Sequence, residues 1–235
     1  MNTSDFFKNW DELQWLEFEI TNSIDAMKEL LIYMEKSWLI SQEKLSGEIK
    51  KFEESLGEDE QQYNHPYEFE QRLMGEIKSR AYFAVFLSSY AIFEGSVNKI
   101  CKLIEHEFQF EKKMEDFNSN KYLKSNENYL KEVYKVNVNK IQPQWSKLSN
   151  YSNLRNVMSH EDGSTKKVKY KESLKQIGHL LVEESQNSIS VFIENKLFFE
   201  VFFKELEAFF NKLIKLIDVK YPSWNSFKKV VPDLI

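Results

Sequence analysis

Only six glycines and four prolines interrupt the 235 residues of this chain. That is about 4% of the sequence against a usual share of roughly 12%, and a fold of many short strands needs far more turns than ten such residues supply. Sandwiches, barrels and propellers are excluded on this ground. The long Lys- and Glu-rich runs between the breakers favour helix. With 42% hydrophobic and 15% aromatic residues the chain can fill a core. The expected fold is mainly α, a helical bundle of five or six helices with at most a short β-hairpin.

Several chemistries lack their sequence signals. There is no G-x-G-x-x-G, no G-x-x-x-x-G-K and no G-x-S-x-G, which removes support for Rossmann, P-loop and α/β-hydrolase sites. The single Cys101 forms no internal disulfide, and with four histidines a Cys/His zinc site of the usual kind does not assemble. The start, Met1-Asn2-Thr3-Ser4-Asp5, has neither the basic nor the apolar region of a signal peptide. No run of eighteen apolar residues occurs. The expectation is a soluble, cytoplasmic protein that does not enter a membrane and holds no metal.

The net charge of −5 conceals an asymmetry: residues 1–60 carry −9 and residues 61–235 carry +4. Apolar residues Leu13, Leu16, Ile20, Ile24, Met27, Leu31, Met34 and Trp38 recur at threes and fours, which predicts a long helix or helix pair over about 11–52. The polar stretch 55–66, ending in His65-Pro66, is the best linker candidate. The chain therefore divides into an acidic helical N-terminal segment, 1–60, and a helical domain, 61–235. Within the latter, a central helix is expected over about 67–108, since Ala81 to Phe93 is apolar nearly all round. Pro143 suits the first residue of a helix striped with Trp145, Leu148, Tyr151, Leu154 and Met158. Leu174, Ile177, Leu180 and Leu181 continue the helical pattern, 188–193 reads as a strand or small hairpin, and 197–217 as the last helix.

One constellation carries chemistry. In Arg155-Asn156-Val157-Met158-Ser159-His160 an arginine precedes a histidine by five positions at the end of an amphipathic helix, before the loop at Gly163. The basic residues are lysines apart from Arg72, Arg80 and Arg155, so each arginine stands where a planar fork of donors has a use that an ammonium lacks. On a helical projection Arg155 lies at the edge of the packing stripe, and Asn156 and His160, at i and i+4, share the opposite face. Upstream, Glu94 shares the face of Arg80 and Leu87 and needs a partner: Arg80 in an ion pair, or a group on another helix. Arg155 in a surface ion pair and His160 as a helix C-terminal cation remain the plain alternative. Lys166, Lys167 and Lys169 open the densest positive stretch, either a solvated face or a phosphate-attracting strip.

Arg155-Asn156-x-x-x-His160 resembles the R-N-x-x-x-H signature of the HEPN superfamily, helical domains found in bacterial toxins, phage-defence proteins and CRISPR effectors. Ser89-Tyr90-Ala91-Ile92-Phe93-Glu94-Gly95 is similar to the helix that supplies an upstream acidic residue in several of its families. The resemblance covers about 67–217. It implies a metal-independent, cofactor-free endoribonuclease acting as a homodimer with a composite site, restrained by an antitoxin or other regulatory protein; a catalytically silent dimer binding RNA or protein is the alternative. RNA brings its own nucleophile, so cleavage needs a general base or acid, a role for His160, and a cation for phosphorane charge, a role for Arg155. Glu94 would hold Arg155 or fix the His160 tautomer, Asn156 would position His160 or the phosphate, and Lys166, Lys167 and Lys169 would attract RNA. Since Arg155 and His160 both lie off the stripe, replacing either is expected to leave stability nearly unchanged.

Overall fold

A computed structural model describes residues 11–56, 67–117, 122–160, 163–166 and 168–220. Helix α1 spans Glu12–Ser55. It starts at a capping box: the Asp11 carboxylate accepts from the Gln14 N–H at 2.8 Å while the Gln14 amide oxygen accepts from the Asp11 N–H at 3.1 Å. Its stripe of Leu13, Leu16, Ile20, Ile24 and Leu31 is buried. Helix α2, Glu68–Phe108, runs antiparallel to it. Lys99 reaches Glu19 at 2.8 Å, Lys78 reaches Glu35 at 3.7 Å, and the rings of Phe52 and Tyr67 meet at 5.9 Å. The acidity of α1 is thus partly answered by lysines of α2.

Helix α3 covers Tyr122–Glu132, α4 Gln142–His160, α5 Lys171–Lys175 and α6 Leu197–Lys220. The candidate linker residues 57–66 and the polar break at Asn118 lie outside the described residues. Pro143 falls in the first turn of α4, where its missing N–H has no helical partner to lose. Trp145, Leu148, Tyr151, Leu154 and Met158 are all buried, as is Val157. They meet α2 and α6 in a mesh of rings: Phe86 packs on Tyr151, Phe198 and Phe202 at 6.1, 5.6 and 5.4 Å, and Trp145 on Phe209 at 5.2 Å. The buried residues of α1 belong to the same core.

Beyond α5 the expected helical pattern gives way to strand. The helix ends at Lys175, Gly178 follows, and His179 takes a left-handed φ of 59°, so Leu180 and Leu181 open a strand instead of continuing a helix. Strands β1 (Ser164–Thr165), β2 (Leu180–Glu184) and β3 (Ile189–Ile193) form an antiparallel sheet in the order β1-β3-β2. Ser164 pairs with Ser190 and Leu181 with Phe192. In the middle strand Ile189, Val191 and Ile193 turn into the core and Phe192 turns out. The fold is mainly α with this one small sheet.

Candidate active site

The site is built where α4 crosses α2. Leu154, Val157 and Met158 seat α4 in the core, which places Arg155 at the boundary between core and solvent. Phe93 and Val97 do the same for α2, leaving Glu94 at the matching boundary. The two side chains meet: Arg155 Nη2 donates to Glu94 Oε1 at 3.0 Å and to Oε2 at 3.1 Å. The Glu94 side chain is 18% exposed and that of Arg155 32%, so the pair is partly screened from water. Arg155 Nη1 also donates to Asn156 Oδ1 at 3.1 Å.

This arrangement decides between the readings of Glu94. Arg80 and Glu94 lie fourteen residues apart on one straight helix, about 21 Å along its axis, and Glu94 pairs across to α4 instead. Asn156 likewise engages Arg155 through its carbonyl oxygen. His160 is the last residue of α4 and is exposed; no described residue hydrogen-bonds its ring. Glu94, Arg155 and Asn156 are therefore joined, while His160 stands a turn further along α4 on the side of Asn156.

Beneath the pair lies Tyr90, fully buried and one turn before Glu94 on α2. Its hydroxyl donates to the Leu148 carbonyl at 3.4 Å. Burial first, and then the Glu94 carboxylate, push its phenol up, against smaller opposing effects of Arg155 and Ser152, so Tyr90 stays a neutral donor at every working pH. Sequence reasoning took Tyr90 only as part of the motif-bearing helix; its i, i+4 spacing to Glu94 is the signal that marks it as a floor residue.

The lysine strip is divided. Lys166, which follows β1, and Lys169 are exposed, the latter with its ammonium 5.3 Å from the Tyr170 ring. Lys167 lies outside the described residues. Lys171 and Lys175 both bond to Glu184 of β2, the first at 2.6 Å. No described contact joins Lys166 or Lys169 to the Glu94–Arg155 pair.

Of the other histidines, His65 is outside the described residues, His179 is exposed, and His106 lies 3.2 Å from Glu107. Glu12, His106 and Glu107 are the grouping of potential metal donors among the described residues, all three exposed. Cys101 is buried in apolar surroundings that push its thiol up, so it is no nucleophile. Trp145 packs in the core, whereas Trp15 is half-exposed; Trp10 and Trp224 are not among the described residues. No helix of the described residues is long and apolar enough to cross a membrane.

Chemically, the cluster presents a guanidinium fixed from two sides. Its Nη2 and Nη1 are tied to Glu94 and Asn156, and its Nε hydrogen, which takes no part in these bonds, is left to meet an incoming oxyanion. An exposed imidazole follows at the end of the same helix. No family model, curated protein or solved structure matches the chain.

Proposed function

We propose that the protein is a metal-independent endoribonuclease of HEPN type, a cytoplasmic toxin or phage-defence effector that cleaves RNA by attack of the 2′-hydroxyl. The observation that carries the reading is the hydrogen-bonded set Glu94, Arg155 and Asn156, named from one motif and its upstream helix: Arg155 lies within 3.1 Å of both Asn156 beside it and Glu94, 61 positions away in the chain. In the reaction the 2′-oxygen bonds to phosphorus, the bond from phosphorus to the 5′-oxygen breaks, and the products carry a 2′,3′-cyclic phosphate and a free 5′-hydroxyl. His160 takes the proton from the 2′-hydroxyl or gives one to the leaving 5′-oxygen, and Arg155 offsets charge on the phosphorane. A single chain supplies one such imidazole, and a two-fold dimer apposing the Asn156 and His160 faces supplies the second. The dimer would hold the composite cleft, and an antitoxin or regulatory protein would restrain it.

The test is incubation of purified protein with RNA in excess chelator. Cyclic-phosphate ends that vanish in His160→Ala support the reading, and intact RNA at micromolar protein defeats it. A second reading, a catalytically silent dimer that binds RNA or protein, draws on the same pair: Glu94 already occupies the Arg155 guanidinium, which neutralises part of the charge a phosphorane would need. RNA binding without cleavage would favour it.

A further inference from the structure

Two of the three arginines take no part in the cluster just described, and both line one groove. Arg72, Glu76, Ser79 and Arg80 form its α2 wall, and Ser164 and Phe192 its sheet wall, around a volume of about 610 Å³. Its base is set by Gly163, which adopts φ +81° and lies so close to Phe83 that an added Cβ would stand 2.9 Å from the ring. The Gly163 carbonyl accepts from the Val191 N–H at 2.8 Å and its N–H donates to the Val157 carbonyl at 3.1 Å. The loop is thus pinned both to the sheet and to the last turn of α4.

We infer that this groove binds the phosphodiester backbone of a single-stranded RNA running from His160 between α2 and the sheet. The choice of ligand rests on the RNA-cleaving reading above; the placement rests on four observations. First, Arg72 and Arg80 are eight residues apart on α2, about 12 Å along the axis, a spread that suits successive phosphates of a strand more than a single anion. Arginine rather than lysine occupies both places in a chain otherwise rich in lysine, and the guanidinium fork is the group that grips phosphate oxygens in pairs. Second, the opposite wall offers the Ser164 and Ser190 hydroxyls, which face each other at 3.2 Å. Third, the Phe192 ring turns out from the middle strand at 40% exposure, a stacking surface of the kind that single strands use without regard to sequence. Fourth, Gly163 is three residues after His160, at most about 11 Å of chain, so a strand leaving the imidazole reaches the groove within a few nucleotides. Glu76, four residues from each arginine, lies within i, i+4 reach of both on the helix surface.

The experiment measures binding and cleavage side by side. A fluorescein-labelled 12-nucleotide RNA is titrated by anisotropy against His160→Ala protein, with and without Arg72→Ala/Arg80→Ala, at several salt concentrations. The double variant should bind about tenfold more weakly and its salt dependence should flatten by about 1.4, two single-strand phosphate contacts at roughly 0.7 each. Arg72→Lys/Arg80→Lys should keep the salt slope and lose affinity, which separates the fork from the charge. Lys44→Ala/Lys50→Ala, which removes two exposed charges from α1, should bind as the parent does. Unchanged affinity in the arginine variants, or equal losses in the α1 variant, overturns the groove. Cleavage is scored separately, with His160 intact, for the wild-type chain and for Arg72→Ala/Arg80→Ala. RNA that is cut with no dependence on Arg72 and Arg80 defeats the groove alone, and RNA bound through them but never cut defeats the nuclease reading alone.

Discussion

Arg155 and His160 share a motif but differ in what the fold asks of them. His160 is exposed at a helix end, so His160→Ala should leave stability within about 0.5 kcal/mol while lowering cleavage by about 10²-fold or more. Arg155 is tied to a carboxylate that is mostly covered. The pair argues against the expectation that its loss would spare the fold, because Arg155→Ala strands Glu94 without its charge partner. That variant should lose about 1–3 kcal/mol of stability as well as activity, read by denaturant titration beside the cleavage assay. Arg155→Lys should be inactive with a smaller stability loss, since one ammonium cannot serve Glu94 and Asn156 together. A thermal scan of Arg155→Ala that overlays the wild type would show that the pair carries nothing. Gly163→Ala combines a left-handed φ with a contact to Phe83 under 3 Å and should cost about 1–3 kcal/mol.

At the level of elements, two carboxylates each tie one element to another. Glu94 joins α2 to α4, and a double-mutant cycle over Glu94→Gln and Arg155→Lys should return a coupling of about 0.5 kcal/mol or more. Glu184 joins β2 to α5: the hydrogen bond from Lys171, then that from Lys175, lowers its carboxyl below the ordinary 4.5. A folded-state value below the unfolded one means the tie contributes at pH above 4.5 and is lost as pH falls through the lowered value. The Glu184 carboxyl resonance should therefore titrate below pH 4.5 in the wild type and move up in Lys171→Ala. The same tie takes two lysines out of the positive strip, leaving Lys166 and Lys169 as its exposed described members.

For the whole molecule, the acidic N-terminal helix matters as structure. Five of its side chains lie in the common core, and at about 1.5–3 kcal/mol each their removal rivals the roughly 5–15 kcal/mol that holds a typical domain folded. A chain lacking residues 1–56 should fail to unfold cooperatively in a calorimeter; a sharp transition from that fragment would make α1 an appendage. The composite cleft proposed above requires a second copy, so on that reading sedimentation should show a dimer at tens of micromolar, and a monomer there would remove the two-imidazole mechanism.

The long helices were legible in the sequence because their signal is local: apolar residues at threes and fours over α1 and α4, a strongly apolar run over α6, and few breakers to end them. The motif residues Arg155, Asn156 and His160 were legible for the same reason, as neighbours on one helix. Leu180 and Leu181 misled because two apolar residues satisfy either period, and only pairing with Phe192 and Ile193 of β3 chose the strand. For the partner of Glu94 the sequence left Arg80, Arg155 and His160 open. A projection shows which face a residue takes but not which helix that face meets, so Arg80 on the same face and Arg155 across the bundle looked equivalent. Packing of α4 against α2, with Tyr151 on Phe86, brought Arg155 to Glu94, and the approach of Gly163 to Phe83 built the groove beside it. Both depend on contacts between residues dozens of positions apart, a kind of information that periodicity does not carry.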